Sequence, residues 1–215
     1  HIMKDNLSLV QAVDCVLLAV KPVYAADVIR EVYDALNGKF VISIIAGWTY
    51  EMLKDALPDT ARFVRVMPNI CAQVLCSASA VCPNAACTPE QVELVRAMFR
   101  SVGEVYDIPE AQFSAFSALG GASGAFVQMY IDALSSAGVK AGLSRALAQK
   151  IACQATLGAA KLCQETGEHP MALVDKVTSP GGTTIEGVHV LKKQGFESAV
   201  IEAINAVIEK DKRLG

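Results

Sequence analysis

Short, nearly continuous apolar runs alternate with helical hydrophobic spacing through the first half of the chain. Each run has the pattern expected of a strand that is buried on both faces of a parallel sheet. Because strands and helices alternate, the sequence predicts right-handed βαβ units and an open parallel sheet, an α/β fold. The predicted strands lie at residues 14–20, 39–45 and 62–67, with a candidate fourth at 78–82, and helical spacing occupies 25–36 and 50–57.

The strand pattern disappears beyond about residue 112, and the remaining sequence shows only helical spacing. A capping box at residues 88–91, Thr-Pro-Glu-Gln, predicts one more helix before that change. We therefore place a domain boundary near Pro109. The sequence predicts an α/β domain over residues 4–109 and an all-α domain over residues 110–215.

A predicted helix over residues 141–162 is apolar on most of its sides. One stripe contains Leu147, Ile151, Gly158 and Leu162, and another contains Ala148, Ala152, Ala155 and Ala159. Such a helix must be surrounded by protein, and a bundle of about ninety residues is thin for that purpose. We therefore predict a homodimer through the helical domain and leave open a larger oligomer of dimers. In the last helix, the side chains expected to face inward are Val200, Ile201, Ile204, Val207 and Ile208.

Composition excludes several classes of partner. The net charge is −3 and the sequence has no basic stripe, so nucleic acid is not an expected partner. The longest apolar runs are far shorter than the roughly 18 residues that a membrane span needs, so no membrane insertion is expected. The seven cysteines form no C-x-x-C pair, which argues against a disulfide framework and a metal site. These features favour a reducing, cytoplasmic location.

Residues 177–191, VTSPGGTTIEGVHVL, place a Gly-Gly pair and several hydroxyl groups directly before a helical pattern. The glycines permit backbone angles and close approaches that a side chain would forbid, and either threonine can cap the next helix. The first amides of that helix have no partner within it and lie at its positive end, which suits a carboxylate or phosphate. The alternative is a tight turn with ordinary capping. The candidate binding residues are Ser179, Gly181, Gly182, Thr183 and Thr184.

The predicted strands end in three short polar or glycine-containing segments. In an open parallel sheet, ligands bind at the carboxyl ends of the strands, so these segments lie where the nicotinamide half of a dinucleotide would bind. The alternative is that they are strand-terminating turns without a ligand. The segments are Ala19-Val20-Lys21-Pro22, Ala46-Gly47 and Met67-Pro68-Asn69.

Residues 177–191 resemble the C-terminal signature of Δ1-pyrroline-5-carboxylate reductases, which reduce a cyclic imine to proline. The A-V-K-P run, the S-I-x-A-G run from Ser43 and the R-x-M-P-N run from Arg65 match the same family in order and spacing. The resemblance implies a Rossmann-type sheet and a cyclic imino acid substrate. It also implies that NADP or NAD lies along all three strand-end segments. It further implies that the amides of Gly182 and Thr183 hold the substrate carboxylate and that Thr184 hydrogen-bonds the ring nitrogen.

The sequence departs from the family at two places. No G-x-G-x-x-G follows a strand, and the first fifty or so residues of the family have no counterpart, so we expect this chain alone to bind a dinucleotide poorly. The sequence predicts no preference for NADH or NADPH, because the region that discriminates between them has no counterpart here. At residues 117–126, SALGGASGAF stands where the family usually has a G-S-G-P-A core, and only Gly121 and Ala125 align.

Two other functions stay open at the level of sequence. A related imine reductase or β-hydroxyacid dehydrogenase would need a catalytic lysine, for which Lys140, Lys150 and Lys161 are available outside any glycine-rich motif. The second open function is that of a dimerising module without catalytic activity. We expect His169 and His189 to have structural or surface roles, because neither is paired with a carboxylate or nucleophile at a recognisable spacing.

Overall fold

The computed structural model describes residues 1–213 and divides the chain into two compact units. Unit 1 comprises residues 1–122 together with the segment from 205 onward, and unit 2 comprises residues 123–204.

Unit 1 is built on a five-stranded sheet within the described residues. The strands follow one another across the sheet in chain order, and all neighbours are parallel except β3 and β4. The strands are β1 (Cys15–Leu18), β2 (Phe40–Ser43), β3 (Arg62–Met67), β4 (Ser77–Pro83) and β5 (Gly103–Asp107).

The register of the first three strands brings their carboxyl ends to one edge of the sheet. Leu18 of β1 pairs with Ser43 of β2, and Ser43 pairs with Arg65 of β3. The Ile44 amide continues this pairing beyond β2 by donating to the Leu18 carbonyl at 3.1 Å. The segments that follow these strands therefore emerge side by side.

The sheet differs from the sequence prediction in two respects. The prediction of a wholly parallel sheet was wrong at β4, which is antiparallel to β3 because the two are joined by only a short connection containing a 3₁₀ turn, Ile70–Val74. Strand β1 is buried on one face only, with Leu17 exposed, whereas β2 is buried at all four positions.

Strand β5 has no counterpart among the predicted strands. Its residues lack a continuous apolar run, and its burial alternates between half-buried and exposed positions before ending exposed. It pairs parallel to β4, with Gly103 opposite Ser77. A Cβ at Gly103 would lie 2.1 Å from the Ser77 carbonyl oxygen, so only glycine allows the two backbones to approach this closely.

Helices cover the sheet of unit 1. The predicted capping box is present at the start of α4, where the Thr88 hydroxyl accepts from the Gln91 amide and the Gln91 side chain accepts from the Thr88 amide. The helices of this part of the chain are α1 (Asn6–Gln11), α2 (Pro22–Val32), α3 (Tyr50–Ala56), α4 (Pro89–Arg100) and the single turn α5 (Phe113–Phe116). A π-helical turn, Ser117–Ala122, follows α5.

Unit 2 contains helices throughout its described length. They are α6 (Ser123–Lys140), α7 (Arg145–Thr166), α8 (Pro170–Val177), α9 (Thr183–Lys193) and the first part of α10 (Phe196–Lys212), which continues into unit 1. On α7, Ala148 and Ala152 are buried, whereas Ala155 and Ala159 of the same stripe are exposed. Leu147, Ile151 and Leu162 are about half exposed.

The prediction that the apolar residues of the last helix face inward was wrong for the isolated chain. Val200 and Ile201 of α10 are exposed, and Ile204, Val207 and Ile208 are only partly buried. Amphipathic spacing identifies an apolar face correctly, but it does not tell which protein surface covers that face.

None of the described helices is long and apolar enough to cross a lipid bilayer. Across residues 1–213, no cluster of three or more His, Cys, Asp or Glu side chains has a geometry that could hold a metal ion.

Candidate functional site

We name residues 179–184 the glycine turn; they comprise the end of the loop after α8 and the first two residues of α9. This segment has the backbone geometry that the two glycines predict. Gly181 has a φ of +68°, in the left-handed region that favours glycine. The Gly182 amide donates to the Ser179 carbonyl at 3.0 Å and closes the turn. A Cβ at Gly182 would lie 2.5 Å from the Ser179 hydroxyl oxygen, so the absence of a side chain keeps that hydroxyl in its place.

Helix α9 begins at the end of this turn without a side-chain cap. Gly182 is the N-cap residue, and neither Thr183 nor Thr184 caps the helix as the sequence predicted, because both already lie within it. Threonine is a good capping residue, but glycine is also accepted there, and the turn places it one residue earlier.

The backbone amides at the start of α9 are free to donate hydrogen bonds to a ligand. In the described chain, the amides of Thr183 and Thr184 donate to no other protein group, and both residues are exposed. The Gly182 amide, which the family resemblance also assigns to the carboxylate, donates to the Ser179 carbonyl in this structure. The Ser179 hydroxyl remains beside the turn, exposed to solvent.

The three strand-end segments of unit 1, which we name the strand-end cluster (residues 19–22, 46–47 and 67–69), follow β1, β2 and β3. Lys21 is the N-cap of α2 and makes no side-chain capping bond, while Pro22 is the first helical residue. Ala19 and Lys21 are exposed and Val20 is partly buried. The first segment therefore presents backbone and a flexible cation at the edge of the sheet.

The second segment turns sharply after β2. Ala46 and Gly47 are exposed, and Gly47 has a φ of +74°. A Cβ at Gly47 would meet nothing within 4 Å, so open space lies beside this backbone. The chain then enters α3, which is capped by the Thr49 hydroxyl accepting from the Met52 amide.

The third segment is held in place by Asn69. Its carboxamide accepts from the Cys71 amide at 3.0 Å and donates to the Gly120 carbonyl at 2.7 Å, and its own backbone amide donates to the Ser77 hydroxyl. Met67 and Pro68 are partly buried. The side chain of Asn69 thus fixes the course of the backbone after β3.

Sequence reasoning missed an ion pair next to this cluster. Arg65 of β3 pairs with Glu110, and the same Glu110 oxygen accepts from the Tyr50 amide at 2.9 Å. The Arg65 guanidinium also lies 4.1 Å from the centre of the Phe113 ring. Arg65 opens the R-x-M-P-N run and was visible in the sequence, but Glu110 is isolated from every motif and carried no signal.

The two histidines, expected to be structural or surface residues, and the three lysines considered for a dehydrogenase are all exposed. His169 is the N-cap of α8 and its Nδ1 accepts from the Met171 amide. His189 and the lysines Lys140, Lys150 and Lys161 are exposed.

Two family models match the chain. Residues 110–214 match a model described as pyrroline-5-carboxylate reductase dimerisation. Residues 1–47 match one described as NADP oxidoreductase, coenzyme F420-dependent.

Curated relatives and solved structures agree with these matches. The pyrroline-5-carboxylate reductase of Synechocystis is 42% identical over 215 residues, which are 100% of this chain and 80% of that protein. The Escherichia coli enzyme of the same name is 44% identical over 205 residues, 95% of this chain and 76% of the relative. The structure of Plasmodium falciparum pyrroline carboxylate reductase with NADP bound has a TM-score of 0.92 at 31% identity, covering 99% of this chain and 81% of that one.

Proposed function

Because this chain belongs to the pyrroline-5-carboxylate reductase family, we propose that it reduces the imine of 1-pyrroline-5-carboxylate to give L-proline. The observation that carries the proposal within the structure is the glycine turn, where two exposed and unbonded amides begin a helix. Relatives at 42% and 44% identity over nearly the whole chain bear the name of this enzyme.

The amides of Thr183 and Thr184 are proposed to bind the substrate carboxylate. Both lie in the first turn of the 11-residue helix α9, where the partial positive charge of the helix dipole favours an anion. The Ser179 hydroxyl lies beside them and can add a third hydrogen bond. Gly182 contributes by its lack of a side chain rather than by its amide.

The Thr184 hydroxyl is proposed to hydrogen-bond the ring nitrogen of the imine. A bond there favours the protonated imine, whose carbon is the better hydride acceptor, and it fixes the ring relative to the bound carboxylate. No strong base is required of the protein.

A nicotinamide cofactor, NADP or NAD, would be held by the strand-end cluster, and when bound it supplies the hydride. The residues present fit this group, because the register of β1, β2 and β3 brings the three segments to one edge. At the middle segment, Gly47 leaves open space beside an exposed backbone. The role of this chain is to hold the imine carbon close to the nicotinamide in an orientation that allows hydride transfer.

The proposed reaction is tested by incubating the protein with 1-pyrroline-5-carboxylate and a large excess of either NADPH or NADH, because weak binding of the dinucleotide is expected. We expect oxidation of the reduced cofactor together with formation of L-proline, identified by chromatography. If neither cofactor yields proline while L-proline still binds, the glycine turn would belong to a binding module without this activity.

We also propose a homodimer formed through the helical part of the chain. On α7, Leu147, Ile151, Leu157 and Leu162 are between 47% and 59% exposed, although the sequence spacing places most of them on one apolar stripe. A second copy of the chain would cover them, which agrees with the dimerisation model matched at residues 110–214. The molecular mass of the protein in solution, measured by light scattering, also tells whether such dimers assemble into a larger oligomer.

Substituting Ile151→Lys is predicted to convert the dimer to a monomer in light scattering coupled to size exclusion. Ile151 is 49% exposed in the single chain, so a lysine there is tolerated in the monomer. In a dimer, burying its charge without a partner costs several kcal/mol.

The control is Asp59→Lys, a charge reversal in an exposed turn of unit 1 that makes no bond in the described structure. It should leave the mass unchanged. If Ile151→Lys also keeps the wild-type mass, then α7 is not the contact surface.

The cytoplasm is the proposed location. All seven cysteines are free thiols in the described structure, and such a set is typical of a reducing compartment.

A further inference from the structure

The 3₁₀ turn that follows β3 ends in a Schellman motif. The Leu75 amide donates to the Ala72 carbonyl at 3.1 Å, and the Cys76 amide donates to the Cys71 carbonyl at 3.0 Å. Leu75 has a φ of +59° and is the only residue other than glycine with a positive φ in the described part of the chain. Two such bonds around a left-handed residue define the motif and bring its first and last residues together.

The first and last residues of this motif are both cysteines. A carbonyl oxygen lies about 2.4 Å from its own Cα, and an amide nitrogen lies about 1.5 Å from its own. The hydrogen bond of 3.0 Å therefore keeps the Cα atoms of Cys71 and Cys76 within roughly 7 Å of each other. A disulfide joins Cα atoms that are about 4.4–6.8 Å apart. Side chains at these two positions of a Schellman motif commonly touch, so the backbone is compatible with a disulfide.

Both ends of the turn are held by hydrogen bonds. At its start, the Asn69 carboxamide accepts from the Cys71 amide at 3.0 Å. At its end, Ser77 is 2% exposed, and its hydroxyl accepts from the Asn69 amide at 3.2 Å. The two cysteines are thus fixed near each other before any reaction. Two groups held in this way react with each other far faster than with groups on separate molecules.

The thiols of this pair are also accessible. Cys76 is exposed and Cys71 is half-buried. By contrast, Cys82 is buried, and the thiols of Cys87 and Cys163 donate to backbone carbonyl oxygens. A small oxidant can therefore reach Cys76 from solvent and find a second thiol beside it. An accessible thiol with a neighbouring cysteine is the usual arrangement of a redox-sensitive site.

We propose that Cys71 and Cys76 form a reversible thiol–disulfide site that reacts with hydrogen peroxide. The Cys76 sulfur attacks one peroxide oxygen, which gives a sulfenic acid on Cys76 and releases one water. The Cys71 sulfur then attacks the Cys76 sulfur, the hydroxyl group leaves with the Cys71 proton as a second water, and the S–S bond forms. Two electrons pass from the sulfurs to the peroxide. A dithiol reductant returns two electrons and two protons and restores both thiols.

The inference goes beyond the proposed reductase activity and does not depend on it. The site lies wholly within unit 1, and its test contains neither an imine nor a nicotinamide. The two can therefore fail separately.

The test maps the disulfide in the wild-type protein. Reduced protein is treated with hydrogen peroxide, alkylated, denatured and digested with chymotrypsin, which cuts after Leu75 and so separates Cys71 from Cys76. We expect mass spectrometry to find these two peptides joined. The joined species should be two hydrogens lighter than the sum of the reduced peptides, and dithiothreitol should separate it. Untreated protein should give the two alkylated peptides.

The variant Cys71→Ser removes the second thiol and leaves Cys76 in place. Its sulfenic acid then has no neighbouring thiol to react with, so dimedone should label Cys76 roughly tenfold more than in the wild-type protein. The control Cys153→Ser removes an exposed thiol of α7 and should form the joined peptides as the wild type does.

Three results would overturn the inference. One is recovery of Cys71 and Cys76 on separate peptides after peroxide treatment, whether as thiols or as oxygen acids. Another is a Cys76 disulfide with any other cysteine or with a second chain. The third is equal dimedone labelling of Cys76 in the wild-type and Cys71→Ser proteins, since it would mean that Cys71 does not react with the sulfenic acid.

Discussion

The variant Thr184→Ala should lose about 100-fold in kcat/KM for 1-pyrroline-5-carboxylate, the scale of removing one positioned polar contact at a reacting group. The methyl side chain keeps α9 intact, because Thr184 is exposed and caps nothing. The loss should appear mainly in kcat, since the carboxylate still binds the two amides. Steady-state rates at several substrate concentrations give this separation.

The matched variant is Thr184→Ser, which retains the hydroxyl and should recover most of the lost turnover. A wild-type kcat in Thr184→Ala would remove the hydroxyl from the mechanism. A loss confined to KM would instead assign Thr184 to binding alone.

The second large effect concerns a backbone amide. Substituting Thr183→Pro removes its N–H while keeping the fold, because proline is favoured at the first position of a helix. Gly182 before it already has φ −77° and ψ 168°, an extended conformation that precedes proline without strain. We expect L-proline to bind roughly 10- to 100-fold more weakly by calorimetry, the cost of one charge-assisted hydrogen bond.

The control is Thr183→Ala, which removes the side chain and retains the amide, and which should bind L-proline with nearly wild-type affinity. Equal affinities of Thr183→Pro and wild type would show that the carboxylate is bound elsewhere. Circular dichroism of both variants reports whether α9 is preserved.

The sequence predicts the core of unit 1 well, because buried parallel strands leave a continuous apolar run. The predicted strand at 62–67 has the bounds of β3, and the run at 39–45 contains the fully buried β2. Rossmann-type architecture followed by a helical domain was correct for the same reason. Strands and helices have different hydrophobic periods, and each period can be recognised within a short stretch of sequence.

The edges of the sheet were predicted less well. Strand β5 carries exposed residues such as Glu104 and Tyr106, so its pattern resembles a loop. The direction of β4 depends on the length of its connection to β3 rather than on its own residues. The apolar face of α10 is exposed or only partly buried, because amphipathic spacing does not identify the surface that covers a helix.

The candidate site, like the sheet, was predicted only in part. The glycine turn was predictable because Gly181 and Gly182 are required by local backbone geometry. The exact position of the helix start, and therefore which amides remain free, was not. Glu110 could not be found from the sequence, because its significance arises from contacts with Arg65 and Tyr50, which are 45 and 60 residues away.

The central claim is that the free amides at the start of α9 bind the carboxylate of a small imino acid. It is tested most directly by titrating the ¹⁵N-labelled protein with L-proline and following each backbone amide by NMR. We predict saturable downfield proton shifts at Thr183 and Thr184, with a smaller change at Gly182, whose amide is already bonded to Ser179. Saturable binding of L-proline that leaves the Thr183 and Thr184 amides unchanged would contradict the account.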